Sequence, residues 1–141
     1  MKNYKVCILA AGIGSRSFDP NINKALLPLD GKAVLSNIID KFDQKQKFVI
    51  ALGYLEDQVK QYLIHAHPKT KFEFVTIKKY FGLGSGPGHS LLCCEQKLKC
   101  PFILTSADTV VLENISSPYE NWMGVAPIKN TSDFCTVQTN G

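Results

Sequence analysis

Lys5-Val6-Cys7-Ile8-Leu9-Ala10-Ala11-Gly12-Ile13-Gly14-Ser15-Arg16, residues 5–16, decides how this chain folds. A continuous apolar run of strand length breaks into small residues and then into a single arginine. An apolar run without polar alternation is the pattern of a strand covered on both faces, as in a parallel sheet. The glycines let the backbone approach a ligand closely, and successive N–H groups in such a turn form a concavity for anions. In open α/β sheets ligands sit at the carboxyl ends of strands, where this loop begins. Two common phosphate loops are excluded by spacing. The dinucleotide fingerprint G-x-G-x-x-G would need glycine where Ser17 stands, and a P-loop would need Gly-Lys followed by Ser or Thr. Taken alone, Gly-x-Gly after a strand serves equally well as a plain tight turn.

Working outward, the same alternation of short apolar runs and amphipathic segments continues. Strands are predicted at about Lys5 to Ala10, Lys47 to Leu52, Phe72 to Ile77 and Pro101 to Ser106. Helices are predicted at Val34 to Phe42, Leu55 to His65 and His89 to about Leu98, from apolar residues at helical spacing. This order predicts an α/β fold, a three-layer sandwich with a Rossmann-like, mostly parallel sheet. Val125 to Ile128 and Phe134 to Thr139 read as further strands. Asn140-Gly141 is a strong hairpin signal with no return strand after it, so residues 1–141 are expected to be a truncated part of a larger domain.

Composition narrows the function classes. The 141 residues carry 45% hydrophobic and 20% charged content, ordinary for one globular domain. No apolar run is long enough to cross a bilayer and no charged start leads into a signal segment, so a cytoplasmic setting without a membrane partner is expected. The five cysteines form no C-x-x-C pair, which indicates neither a disulfide framework nor a zinc site. His65 and His67, two residues apart on a helix, would point to different faces. The formal charge of +4 is spread along the chain without a basic block, so no nucleic-acid partner is expected. Of the sixteen Lys and Arg residues only Arg16 is an arginine, and a planar guanidinium in a Gly-rich turn suits bidentate grip on phosphate oxygens.

Three further stretches bear on chemistry. Asn23-Lys24-Ala25-Leu26-Leu27-Pro28-Leu29 puts Lys24 eight residues after Arg16, within reach of the same phosphate if the loop folds back. Gly82-Leu83-Gly84-Ser85-Gly86-Pro87-Gly88-His89-Ser90 suits close approach of a base or phosphate to backbone at a helix start. Thr105-Ser106-Ala107-Asp108-Thr109 ends an apolar strand in a carboxylate. That group can hold Mg²⁺, which keeps several waters and takes one or two protein carboxylates, or it can cap a following turn.

Together, LAAGIGSR, NKALLPLDGK, GPGHS and SADTVV, in this order, resemble the N-terminal part of the nucleoside-triphosphate transferase family, which includes sugar-1-phosphate nucleotidyltransferases. The resemblance covers about residues 4 to 112. It implies nucleotide contacts from Leu9, Ala10, Ala11, Gly12, Gly14 and Ser15, with Gly86, Gly88 and His89 beside the base. It also implies Arg16 and Lys24 as catalytic cations and Asp108 as a ligand of Mg²⁺. The activity it implies is transfer of NMP from an NTP to a small phosphorylated acceptor such as a sugar phosphate, with pyrophosphate leaving from the α-phosphorus. A homo-oligomer is compatible with it. The family's second metal carboxylate and acceptor pocket would fall after Gly141. Two motif positions depart from the family: Asn23 stands where proline is usual, and Gly84 where a base-reading glutamine is common. The base and the acceptor stay open. So do a nucleotide-binding module without turnover and a cytidylyltransferase or molybdopterin-type transferase on the same fold.

Overall fold

In chain order the elements are β1 (Lys5–Ala10), β2 (Pro28–Leu29), β3 (Lys32–Ala33), α1 (Val34–Ile39), β4 (Lys47–Leu52), α2 (Glu56–Ala66), β5 (Lys71–Thr76), α3 (Pro87–Cys93) and β6 (Phe102–Ser106). Single 3-10 turns occupy Lys24–Leu26 and Glu95–Lys97. The computed structural model describes residues 4–14, 19–130, 132 and 136–138. Ser15, Arg16, Phe134, Cys135 and the Asn140-Gly141 turn lie outside the described residues; of the predicted strand Phe134 to Thr139 only residues 136–138 are described, and these are exposed and belong to no strand.

The four long strands make a parallel sheet in the order β5-β4-β1-β6. Residues 6, 8 and 10 of β1 and 48, 50 and 52 of β4 point to one face, where they pack with Leu35, Ile38 and Ile39 of α1 and Val59 and Leu63 of α2. Cys7, Val49 and Ala51 point to the other, against Leu91 of α3, Cys94 and Leu98. Helices therefore cover both faces, which is the expected three-layer arrangement. It also explains why β1 and β4 read as unbroken apolar runs, since neither has a wet side.

The chain runs outward through β1, β4 and β5, then returns past β1 to lay down β6. The order reverses between β1 and β6, and the crevice at their carboxyl ends is the place where such sheets bind ligands.

Two sequence expectations are corrected, and one element was not anticipated. The helix expected to reach Phe42 stops at Ile39, where tighter bonds from Lys41 N–H to the Ile38 carbonyl and Phe42 N–H to the Ile39 carbonyl take over. Phe42 nonetheless packs edge-on against Phe48 at 5.8 Å, so apolar periodicity outlasts the helix. Val125 to Ile128 is no strand; its residues are exposed and have no ladder partner among the described residues. The segment just ahead of the first helix, for which no strand was expected, forms a hairpin. Leu29 faces Lys32 across Asp30-Gly31, and both turn residues have positive φ (50° and 82°), as a type I′ turn requires.

Candidate functional site

The end of β1 is fixed to both neighbours by backbone hydrogen bonds. The Leu9 carbonyl accepts from Ala107 N–H beyond β6 at 3.0 Å, and the Ala11 carbonyl accepts from Tyr54 N–H beyond β4 at 3.0 Å. These bonds tie Leu9, Ala10 and Ala11 into the sheet, with Ala10 and Ala11 buried. Gly12 and Gly14 carry the loop into the crevice. A Cβ on Gly12 would meet open space, whereas one on Gly14 would come within 2.9 Å of the Lys24 Cδ. Gly14 also has φ of +70°, which disfavours any side chain.

The stem of Lys24 therefore lies along Gly14, and its ammonium crosses the crevice to Asp108, with Nζ 2.6 Å from Oδ2. Ser106 donates its hydroxyl to the other carboxylate oxygen, Oδ1. Burial pushes the Asp108 carboxyl up, but the hydrogen bonds from Lys24 and Ser106 and the Lys24 charge outweigh it and hold the group below the usual carboxylate range. With 53% of its side chain exposed, Asp108 remains open to a ligand from the solvent side.

Asn23 sets where Lys24 starts. The residue is only 1% exposed, and both polar atoms of its side chain are hydrogen-bonded. Oδ1 accepts from Ala25 N–H at 2.9 Å, capping the 3-10 turn that carries Lys24, and Nδ2 donates to the Tyr54 carbonyl at 2.6 Å. Its own N–H donates to Gln58 Oε1 at 3.2 Å, and Gln58 Nε2 donates to the Asn21 carbonyl at 2.7 Å. Reading the sequence missed this residue's role. The available signal was an Asn immediately before a short helical turn, a capping position.

The third motif follows β5. Ser85 closes a local turn on the Gly82 carbonyl, and α3 begins at Pro87 and packs on β1. Gly88 has open space where a Cβ would stand. His89 Nε2 lies 3.7 Å from Cys93 Sγ, one turn along the same helix. A cleft of about 460 Å³ beside the first loop is walled by Ile13, Tyr54, Lys78, Lys79, Tyr80 and Phe81. Tyr54 and Tyr80 sit with ring centroids 6.3 Å apart. The sequence reading passed over this Lys-Lys-Tyr-Phe stretch.

Asp108 is a hard oxygen donor at a strand end, and no group of three or more His, Cys, Asp or Glu suited to a metal occurs among the described residues. One half-exposed carboxylate fits an ion that keeps its waters and shares substrate phosphate oxygens, as Mg²⁺ does, and fits poorly an ion that needs an all-protein cage.

Among the described residues no helix is long and apolar enough to cross a membrane. The Bifunctional protein GlmU of Methanococcus vannielii is 27% identical over 138 residues, which cover 93% of this chain and 31% of that protein. GlmU of Methanocaldococcus jannaschii is 26% identical over 135 residues, again 31% of its length. The chain thus spans under a third of these curated relatives. Among solved structures, the CTP:phosphocholine cytidylyltransferase LicC of Streptococcus pneumoniae superposes with a TM-score of 0.60 at 24% identity, covering 82% of this chain and 49% of that one. A nucleotidyl transferase from Methanothermobacter thermautotroptrophicus gives 0.60 at 18% identity, covering 79% and 53%. At these identities the structural likeness establishes the fold. The family model described as MobA-like NTP transferase domain matches residues 6–115, well over half of the chain, and the chain belongs to that family.

Proposed function

We propose that the crevice between β1 and β6 binds an NTP and transfers its NMP to a small phosphorylated acceptor, a sugar phosphate by first choice, with release of pyrophosphate. The observation that carries this reading is the 2.6 Å pair of Lys24 and Asp108, a cation and an anion held across a glycine-lined crevice. Backbone N–H groups at Gly12 and Gly14, with Ser15 and Arg16, would hold the triphosphate. Tyr54 and Tyr80, with Lys78 and Lys79 beside them, offer walls for the nucleoside. Gly86, Gly88 and His89 would close over the base, a role that the His89 contact with Cys93 does not require.

Asp108 would hold Mg²⁺, which when bound supplies charge neutralisation on the phosphate oxygens. Lys24 would then exchange its partner, giving up Asp108 for the α-phosphate and the acceptor phosphate. Arg16 would offset charge on the departing pyrophosphate. An acceptor phosphate oxygen attacks the α-phosphorus in line, so the residues position and neutralise rather than form a covalent intermediate. A cytosolic setting, where NTP and sugar phosphates occur together, and a place in sugar nucleotide biosynthesis accord with this reading.

The alternative acceptor is an alcohol phosphate such as phosphocholine, favoured by the likeness to LicC. A pyrophosphate-release assay across the NTPs, each with a panel of acceptor phosphates, tests the proposal. Release with one NTP and acceptor pair supports it. Binding of NTP without release under any pair would leave a nucleotide-binding module in its place.

A further inference from the structure

The amino ends of the strands, opposite the crevice, gather positive charge that the linear sequence disperses. Lys5, Lys47 and Lys71 open β1, β4 and β5 and are in-register neighbours, so the parallel ladder stacks them on one face of the sheet. The turn after α3 brings Lys97 and Lys99 to the same end, where Lys5 Nζ donates to the Lys97 carbonyl at 2.8 Å. A cleft of about 230 Å³ there is lined by Lys5, Lys47, Gln96, Lys97, Lys99 and Cys100. Among the described residues the one carboxylate paired into this group is Glu73, 2.6 Å from Lys5 and 3.6 Å from Lys97. Lys47, Lys71 and Lys99 have no ion-pair partner among the described residues.

Like charges set side by side across strands destabilise a sheet, and four ammonium groups around one concavity answered by one carboxylate leave a local positive field. Lysine is a common binder of phosphate as a point charge with rotatable donors, and Gln96 adds an amide donor. The volume lies below the range of pockets that enclose drug-sized ligands, so a compact anion fits better than an extended polymer. We propose that this cleft is a second binding site, for a compact phosphate-bearing anion of the size of phosphate or pyrophosphate. Across the six residues of β1, at about 3.3 Å per residue, it lies roughly 17 Å from the crevice. It does not depend on the transferase reading.

The test is an amide NMR titration with inorganic pyrophosphate, and separately inorganic phosphate, at low salt with chelator present. Saturable shifts are expected at Lys47, Gln96, Lys97 and Cys100. In the doubly substituted Lys47→Gln, Lys99→Gln protein the affinity should fall about tenfold or more, while Lys24→Gln should leave these shifts unchanged. Both substituted side chains are exposed, and the same spectra report whether the variants fold. Shifts confined to Gly12 and Gly14, cleft shifts indifferent to the double substitution, or shifts matched by sodium chloride at equal ionic strength would each overturn the proposal. So would binding of a short single-stranded oligonucleotide through the same lysines with no response to either inorganic anion.

Discussion

Lys24 and Asp108 are 84 positions apart in the chain and 2.6 Å apart in the fold, joined across the point where the sheet reverses its order. Each stands on a short rigid support, Lys24 on a capped 3-10 turn and Asp108 on the turn after β6, closed by Thr109 N–H donating to the Ser106 carbonyl. Such a pair is worth little to stability, because one partner is half exposed and solvent screens it.

The pair therefore separates binding from folding. Lys24→Ala should change unfolding free energy by less than about 1 kcal/mol and weaken NTP binding by about 1.5–3 kcal/mol, the usual worth of a charge-assisted contact. Asp108→Asn should flatten the Mg²⁺ dependence of binding. Urea unfolding and calorimetric titration measure the two effects; equal losses in both would make the pair structural.

Asn23 should behave in the opposite way. Asn23→Ala removes a cap worth about 1 kcal/mol and leaves the Tyr54 carbonyl without its donor, a further cost of about 1–3 kcal/mol. Unfolding should shift to clearly lower denaturant, with NTP affinity falling as Lys24 loses its platform. An unchanged midpoint would contradict the role drawn from its two side-chain hydrogen bonds.

Gly14→Ala tests the close approach. The positive φ costs a side chain about 1–2 kcal/mol, and the new Cβ would press on the Lys24 stem at 2.9 Å. Reduced NTP affinity with a modest loss of stability is expected by the same two measurements. Gly12→Ala, which meets open space, should be tolerated in folding.

His67 makes stability depend on pH. Burial holds its imidazole below the ordinary value of 6.5, with Lys32 adding to the effect and Asp40 opposing it. Its Nε2 is 2.7 Å from Ser36 Oγ, which also meets Tyr62 OH, and its ring packs edge-on to Phe72. Below about pH 6.5 the unfolded chain takes up a proton that the folded chain resists, so stability is full above that value and falls as pH drops toward the folded pKa. Melting temperature should decline between pH 7.5 and 5.5 more steeply than in His67→Gln, which loses the titrating group. Parallel curves would remove His67 from the account.

The legible parts of this fold were those decided by burial. β1 and β4 follow their apolar runs to within one residue at each end because both faces are covered, and the sequence of such a strand has little freedom. Local chemistry was legible but passed over at Asp30-Gly31, where an Asp-Gly pair marks the hairpin between β2 and β3. Val125 to Ile128 misled because β-branched residues suit a strand only where a neighbour pairs with them. The site was legible as separate motifs. The direct contact of Lys24 with Asp108 was not, since it depends on β6 returning to the far side of β1, a long-range event without local spacing. The charge at the amino ends was hidden for the same reason, because strand register rather than sequence brings Lys5, Lys47 and Lys71 together.

Arg16 falls outside the described residues, and its role rests on solution behaviour. Arg16→Ala should weaken Mg–NTP binding by about 1.5–3 kcal/mol, whereas Lys69→Ala on the exposed surface should change it by less than about 0.5 kcal/mol. Calorimetry on both variants decides the matter, and equal effects would count against a phosphate contact.

The most direct test of the crevice reading is an amide NMR titration of the protein with each Mg–NTP in turn. At least one nucleotide should bind saturably and shift Gly12, Gly14, Gly88, Ala107 and Asp108 together, with the shifts suppressed in Asp108→Asn. Failure of every NTP to bind, or saturable binding that leaves Gly12, Gly14 and Asp108 unmoved, would contradict it.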